Sequence, residues 1–122
     1  MRFINEAGFS VRVGHEEALQ RWLTANEERM ARSYPEGTEY LGTYVTVFTS
    51  EKTAGGHRVL ERLSSYADLD RLAALGKDGT TEYAKVWREF TQFMDPDPHA
   101  DWSSVLLKGA TDATVWDIEP VG

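Results

Sequence analysis

The hydrophobic period of this chain changes abruptly at Gly14, and that change fixes what its N-terminal third can become. From Phe3 to Val13 the residues alternate: Phe3, Ala7, Phe9, Val11 and Val13 share one side, and Glu6, Gly8, Ser10 and Arg12 the other. Alternation is the period of a strand buried more deeply on one face. Beyond Gly14, residues Leu19, Trp22, Leu23, Met30 and Tyr34 recur at steps of three, four and their sums, the apolar stripe of an amphipathic helix. Glu17 with Arg21 and Glu28 with Arg32 are four apart in the favourable order on its wet side, and "YPEG" (34–37) ends it. "HEEAL" has leucine where a zinc-protease helix needs its second histidine. His15, Glu16 and Glu17 therefore read as an ordinary helix start, with acids at the positive end of the helix dipole.

The next segment, "TEYLGTYVTVFTS" (38–50), is rich in β-branched and aromatic residues and reads as a strand. Alternation puts Leu41, Thr43, Val45 and Val47 on one side and Tyr40, Gly42, Tyr44, Thr46 and Phe48 on the other. "EKTAGG" is a flexible turn, and "HRVLERLSS" returns as a shorter strand, completing a hairpin with a long loop. Ser64 or Ser65 can cap a helix starting near Tyr66 that turns Leu69, Leu72, Ala73 and Leu75 inward. "GKDGTT" (76–81) interrupts it. A second helical run follows, with Tyr83, Val86, Trp87, Phe90 and Met94 on one face, until "DPDPHAD" opens a loop. "WSSVLLKG" (102–109) is the last clear strand, and residues 110–122 form a C-terminal arm or an extra short strand.

At 122 residues the chain is long enough for one domain, spanning 1–122, and too short for two. Its net charge of -7, with basic residues scattered among acids, disfavours nucleic acid as a partner. No window offers the roughly 18 uninterrupted apolar residues of a membrane span, and the first residues lack the apolar run of a signal peptide. The absence of cysteine removes disulfides and thiolate chemistry. A soluble cytoplasmic protein is the expectation. His15, His57 and His99 lie on three different elements, so no metal site is expected.

Strand, helix, strand, strand, helix, strand is the order of the split βαβ arrangement: an α+β, ferredoxin-like βαββαβ fold with two helices on one face of an antiparallel sheet. The helix-free face would carry Tyr40, Tyr44 and Phe48, with Trp102 and Leu106, a surface too apolar to leave in water, so a homodimer packed sheet to sheet is expected. "FSVRVGHEEALQRWLTANEE" and "HRVLERLSSYADLDRLAALGKDGTTEYAKVWREF" resemble, in layout, the dimeric α/β-barrel superfamily and its NIPSNAP and antibiotic-biosynthesis-monooxygenase branches. The likeness runs from Phe3 to about Gly109. It implies a homodimeric barrel that binds a flat, hydrophobic small molecule, either as a cofactor-independent monooxygenase, isomerase or cyclase, or as a non-catalytic binding module. The haem-degrading members join an asparagine on the first strand to a tryptophan and a histidine on the second helix. Here Asn5 is in place, but Trp87 comes a helical segment late and His99 falls in a loop. The pattern is not matched, and no cofactor is expected.

Polar groups directed at an apolar cleft are the candidates for chemistry. His57 and Glu61, four apart on the third strand, share a face about 13 Å apart, and either could serve as base. The other register would turn Arg58, Leu60 and Arg62 inward, and the alternation leaves the two open. Arg12 and Tyr44 could stabilise an oxyanion, against the plainer readings of an ion pair and a dimer core. Ser10, Tyr40, Phe48, Trp87, Ser104 and Lys108 are candidate substrate contacts, although Trp87, on a helix face with Tyr83 and Phe90, reads first as a core residue. Asn26 interrupts the stripe of the first helix and needs a partner if buried.

Overall fold

The alternation that begins at Phe3 holds as a strand only to Phe9. In the computed structural model, which describes residues 3–111 and 114, β1 (Phe3–Phe9) is followed by a segment tied to the far side of the chain. Arg12 N–H donates to Phe93 O, Asp95 N–H donates to Ser10 O, and Val11 bridges to Met94. Val11 is buried, but Val13 is 92% exposed and takes no part in the core.

The helix α1 (Glu16–Ser33) starts with His15 at its cap and Glu16 and Glu17 in its first turn, with no side-chain cap bond. β2 (Thr38–Val45), β3 (His57–Leu63), α2 (Asp68–Lys77), α3 (Glu82–Thr91) and β4 (Trp102–Lys108) follow. The four strands form one antiparallel sheet in the order β2-β3-β1-β4, the ferredoxin-like topology. The interruption anticipated at 76–81 falls at residues 78–81 and divides the second helical region in two. Asp78 closes the turn on Thr80, and the Thr81 hydroxyl accepts from Ala84 N–H to cap α3.

Phe3, Asn5, Phe9, Val59, Glu61 and Leu63 lie on the helix-covered face, where Phe3, Phe9, Val59 and Leu63 join Leu19, Met30, Leu72, Val86 and Phe90 in the core. Phe90 is fully buried with Phe9, Trp22 and Trp87 around it, ring centroids 4.9–5.8 Å away. A surrounded aromatic of this kind contributes on the order of 3–5 kcal/mol relative to alanine. Leu69 and Leu75 are only partly buried and Ala73 is exposed, so α2 turns a narrower stripe inward than its sequence suggests.

A register shift between Tyr40 and Gly42 breaks the alternation of β2. An extra residue in one strand sends everything beyond it to the opposite face. Tyr40, opposite Glu61, therefore points under the helices at 2% exposure, instead of joining Tyr44 on the open face. Trp102 and Leu106, paired with Phe9 and Asn5, are also on the helix side. The open face is consequently not the aromatic surface the sequence suggests. It carries Ile4, Leu60, Val105 and Leu107 between ion pairs, Arg58 with Glu6 and Glu51, and Arg62 with Glu39.

The loop after β2 is anchored at its far end. Ala54 is 2% exposed, and Gly55, at φ +78°, lies on the backbone of Phe9 so closely that a Cβ would fall inside contact distance. Gly8 makes the same close approach to the Ala54 carbonyl. Of the C-terminal arm anticipated at 110–122, residues 112, 113 and 115–122 lie outside the described residues.

Candidate functional site

β3 settles its own register: His57, Val59, Glu61 and Leu63 face the helices, while Arg58, Leu60 and Arg62 face out. His57 and Glu61 then fall in two different environments, one open and one closed.

His57 borders a cleft of about 490 Å³ between the first half of α1 and the β2–β3 hairpin. Leu19, Leu23 and Val45 give it an apolar wall, and Glu16, Glu17, Glu27 and Thr43 border it with oxygen. Glu27 reaches it because it stands four residues after Leu23 and three before Met30, inside the apolar stripe of α1. One of its oxygens, Oε2, accepts from the Tyr40 hydroxyl at 2.7 Å and from Thr43 N–H at 3.4 Å. The His57 ring stacks on Phe9, centroids 5.8 Å apart, and its Nδ1 is enclosed without a hydrogen-bond partner. Burial holds the imidazole below its usual range, with Glu16 pulling weakly the other way. His57 is thus a neutral imidazole at physiological pH.

Glu61 is 7% exposed beneath the helices. It accepts from Asn5 Nδ2 at 2.8 Å and from the Tyr34 hydroxyl. No cation among the described residues pairs with it. Burial first, and then the charge of Glu61, push Tyr34 well above its ordinary range. Tyr83 stands edge-on to Tyr34 at 5.2 Å and next to Trp87, whose Nε1 is buried without a partner. Burial raises Tyr83 as well. Tyr34, Tyr83 and Glu61 form a closed polar core whose phenols remain protonated.

The remaining candidates lie elsewhere. Tyr44 and Phe48 border a separate hollow of about 590 Å³ on the opposite side of the sheet, with Glu6, Glu51 and Arg58. Arg12 is exposed and its Nε donates to Gln92 O at 2.8 Å, away from both His57 and Glu61. Ser104 and Lys108 are exposed on edge strand β4, and the Ser10 carbonyl is engaged by Asp95. Asn26 satisfies itself on α1 through Trp22 O and Arg29. Only His57, of the proposed acid–base and oxyanion groups, stands at the cleft. Glu27, Thr43, Asn5 and Tyr34 escape a reading by strand alternation. The sequence signal for Asn5 and Glu27 is a polar residue at a position whose neighbours in phase are apolar. Among the described residues no group of three or more His, Asp or Glu side chains is arranged to hold a metal, and no helix is long and apolar enough to cross a membrane.

A four-stranded antiparallel sheet in this order, with helices on one face and a cleft at the helix–sheet boundary, defines the ferredoxin-like α+β class. Similar solved structures place it within the range of folds that the sequence resembles. An uncharacterized NIPSNAP-like domain protein from Burkholderia xenovorans matches 99% of this chain and 94% of its own at 11% identity and a TM-score of 0.62. A dimeric ferredoxin-like protein of unknown function from Jannaschia sp. CCS1 matches 88% and 99% at 12% identity and 0.60. A putative antibiotic biosynthesis monooxygenase from Nitrosomonas europaea matches 91% and 100% at 18% identity and 0.52. No protein-family model and no curated protein matches the sequence, so the likeness is one of fold.

Proposed function

We propose that this protein binds a flat, hydrophobic small molecule in the cleft between α1 and the β2–β3 hairpin and that His57 takes a proton from it. Two copies pair through their open sheet faces. The observation that carries the reading is the neutral, partly buried imidazole beside an apolar wall of Leu19, Leu23 and Val45. A base that burial keeps unprotonated, with its ring stacked on Phe9, suits abstraction of an activated proton. Such a step serves oxygenation by dioxygen, isomerisation or cyclisation of an enolisable aromatic without a cofactor, and the putative antibiotic biosynthesis monooxygenase from Nitrosomonas europaea supports that class by likeness of fold. Pairing is supported by the dimeric protein from Jannaschia and by the apolar rows on the open face.

A second reading, binding without turnover, draws on the placement of Arg12 and Tyr44 outside the cleft, which leaves no cation there to stabilise an oxyanion. A panel of enolisable bicyclic phenols and ketones separates the two. Proton exchange with solvent deuterium at the ligand's acidic carbon, lost in His57→Gln while binding persists, supports the enzyme. Binding with equal exchange in both proteins supports the carrier. Binding unaffected by Leu23→Trp, which fills the cleft, would overturn the location.

A further inference from the structure

The charges around the cleft select a ligand. Among the described residues its border holds the carboxylates of Glu16, Glu17 and Glu27 and an uncharged His57, and neither lysine nor arginine. The neighbouring cations are committed or turned away. Arg29 is bound to Glu82 and Glu89 on α3, Arg58 to Glu6 and Glu51 on the open face, and Arg12 to a backbone carbonyl. Arg21 borders the adjacent groove with Glu17, Gln20 and Thr24, outside the cleft lining. Glu27 is held in place through Oε2 by Tyr40 and Thr43, while Oε1 makes no hydrogen bond among the described residues. A fixed carboxylate with one oxygen unengaged at the edge of an apolar wall, in a cleft whose described lining has no cation, suits a positive charge carried on a hydrophobic body.

Resting on the cleft assignment above, we infer that its ligand is a hydrophobic amine, protonated at neutral pH, whose ammonium group sits at Glu27 with Glu16 and Glu17 nearby and whose ring lies on Leu19, Leu23 and Val45. Carboxylates of the same shape are rejected. The anionic border thus decides between ligands that the apolar wall alone would treat alike.

Three probes of one shape test this: 2-naphthylmethylamine, 2-naphthalenemethanol and 2-naphthoate, titrated calorimetrically at pH 7.5 and low salt. The amine is expected to bind about tenfold tighter than the alcohol, as two or three partly solvated charge pairs allow, and the naphthoate weakest. The amine's advantage should shrink as salt is raised. It should fall towards one in Glu27→Gln, a near-isosteric change, and in Glu16→Gln/Glu17→Gln, which alters only exposed positions. If the alcohol binds, is displaced by Leu23→Trp, and the amine is no better, the charge inference fails and the cleft stands. If none of the three binds, or Leu23→Trp changes nothing, both fail. An amine preference that survives every glutamine variant would also overturn the inference.

Discussion

Single residues decide where this sheet is tight and where it is open. Gly55 combines a left-handed φ with a backbone approach to Phe9 that no side chain can share. Gly55→Ala is therefore expected to lower stability by about 1–3 kcal/mol, measurable by urea unfolding, because strain and overpacking act together. An unchanged midpoint would mean that the loop does not press on β1. His57 adds a pH signature. Burial lowers its folded proton affinity below the unfolded value of about 6.5, so the unfolded chain takes up the proton first as pH falls. The imidazole's share of stability is complete well above that pH and shrinks as pH falls from it towards the lower folded value. His57→Phe, keeping the stack on Phe9, should flatten the unfolding free energy against pH across that interval. An unaltered slope would place the titrating group elsewhere. At the same scale the sequence conveys His57 and Glu61 as a same-face pair, but not which one is open to a ligand. That depends on how far each lies beneath the helices, which alternation does not encode.

At the scale of elements, the legible features are those governed by local periodicity. The α1 stripe, the break at 76–81 and the hairpin follow from the residues themselves. The bulge after Tyr40 does not: Leu41 is a good strand residue, and only the pairing with β3 shows that it is extra. One unpaired position moved Tyr40 beneath the helices and left Tyr44 on the open face without it. The start of α2 differs in a similar way. Ser64 and Ser65 were natural caps, yet it is the Asp68 carboxylate that gathers their two backbone N–H groups, at 3.0 Å each, and the Ser64 hydroxyl. Burial opposes the charge, but hydrogen bonds from Ser65 and Ser64 and the nearby Arg71 overcome it and hold Asp68 below its ordinary value. Its stabilisation is thus present above the unfolded value and is lost as pH falls through the lower, folded one. Asp68→Ala should cost about 0.5–2 kcal/mol near neutrality, as removal of a capping side chain does, and less in acid, by thermal unfolding at several pH values. A cost independent of pH would assign the loss to packing.

At the scale of the whole molecule, the described residues cover the sheet on one side only. Rows such as Leu60–Glu6–Val105 and Arg62–Ile4–Leu107 run across its open face, apolar groups alternating with charges already paired within the chain. In the proposed dimer such a face would bury its Ile, Leu and Val against a copy of itself without stranding a charge. Sedimentation equilibrium should give a dimer, and Leu60→Asp, which sets an unpaired carboxylate in the middle row, a monomer with its helices intact. A monomer in the parent protein would remove the pairing and leave the cleft, which lies on the other side of the sheet, untouched. That separation makes the cleft the claim to test by itself. The most direct measurement is the imidazole resonance of His57 by NMR during titration with 2-naphthylmethylamine. A saturable shift of His57, with His15 and His99 unmoved and the effect abolished by Leu23→Trp, is the predicted result. A shift confined to residues of the open face, or none at His57 while the ligand binds, would contradict it.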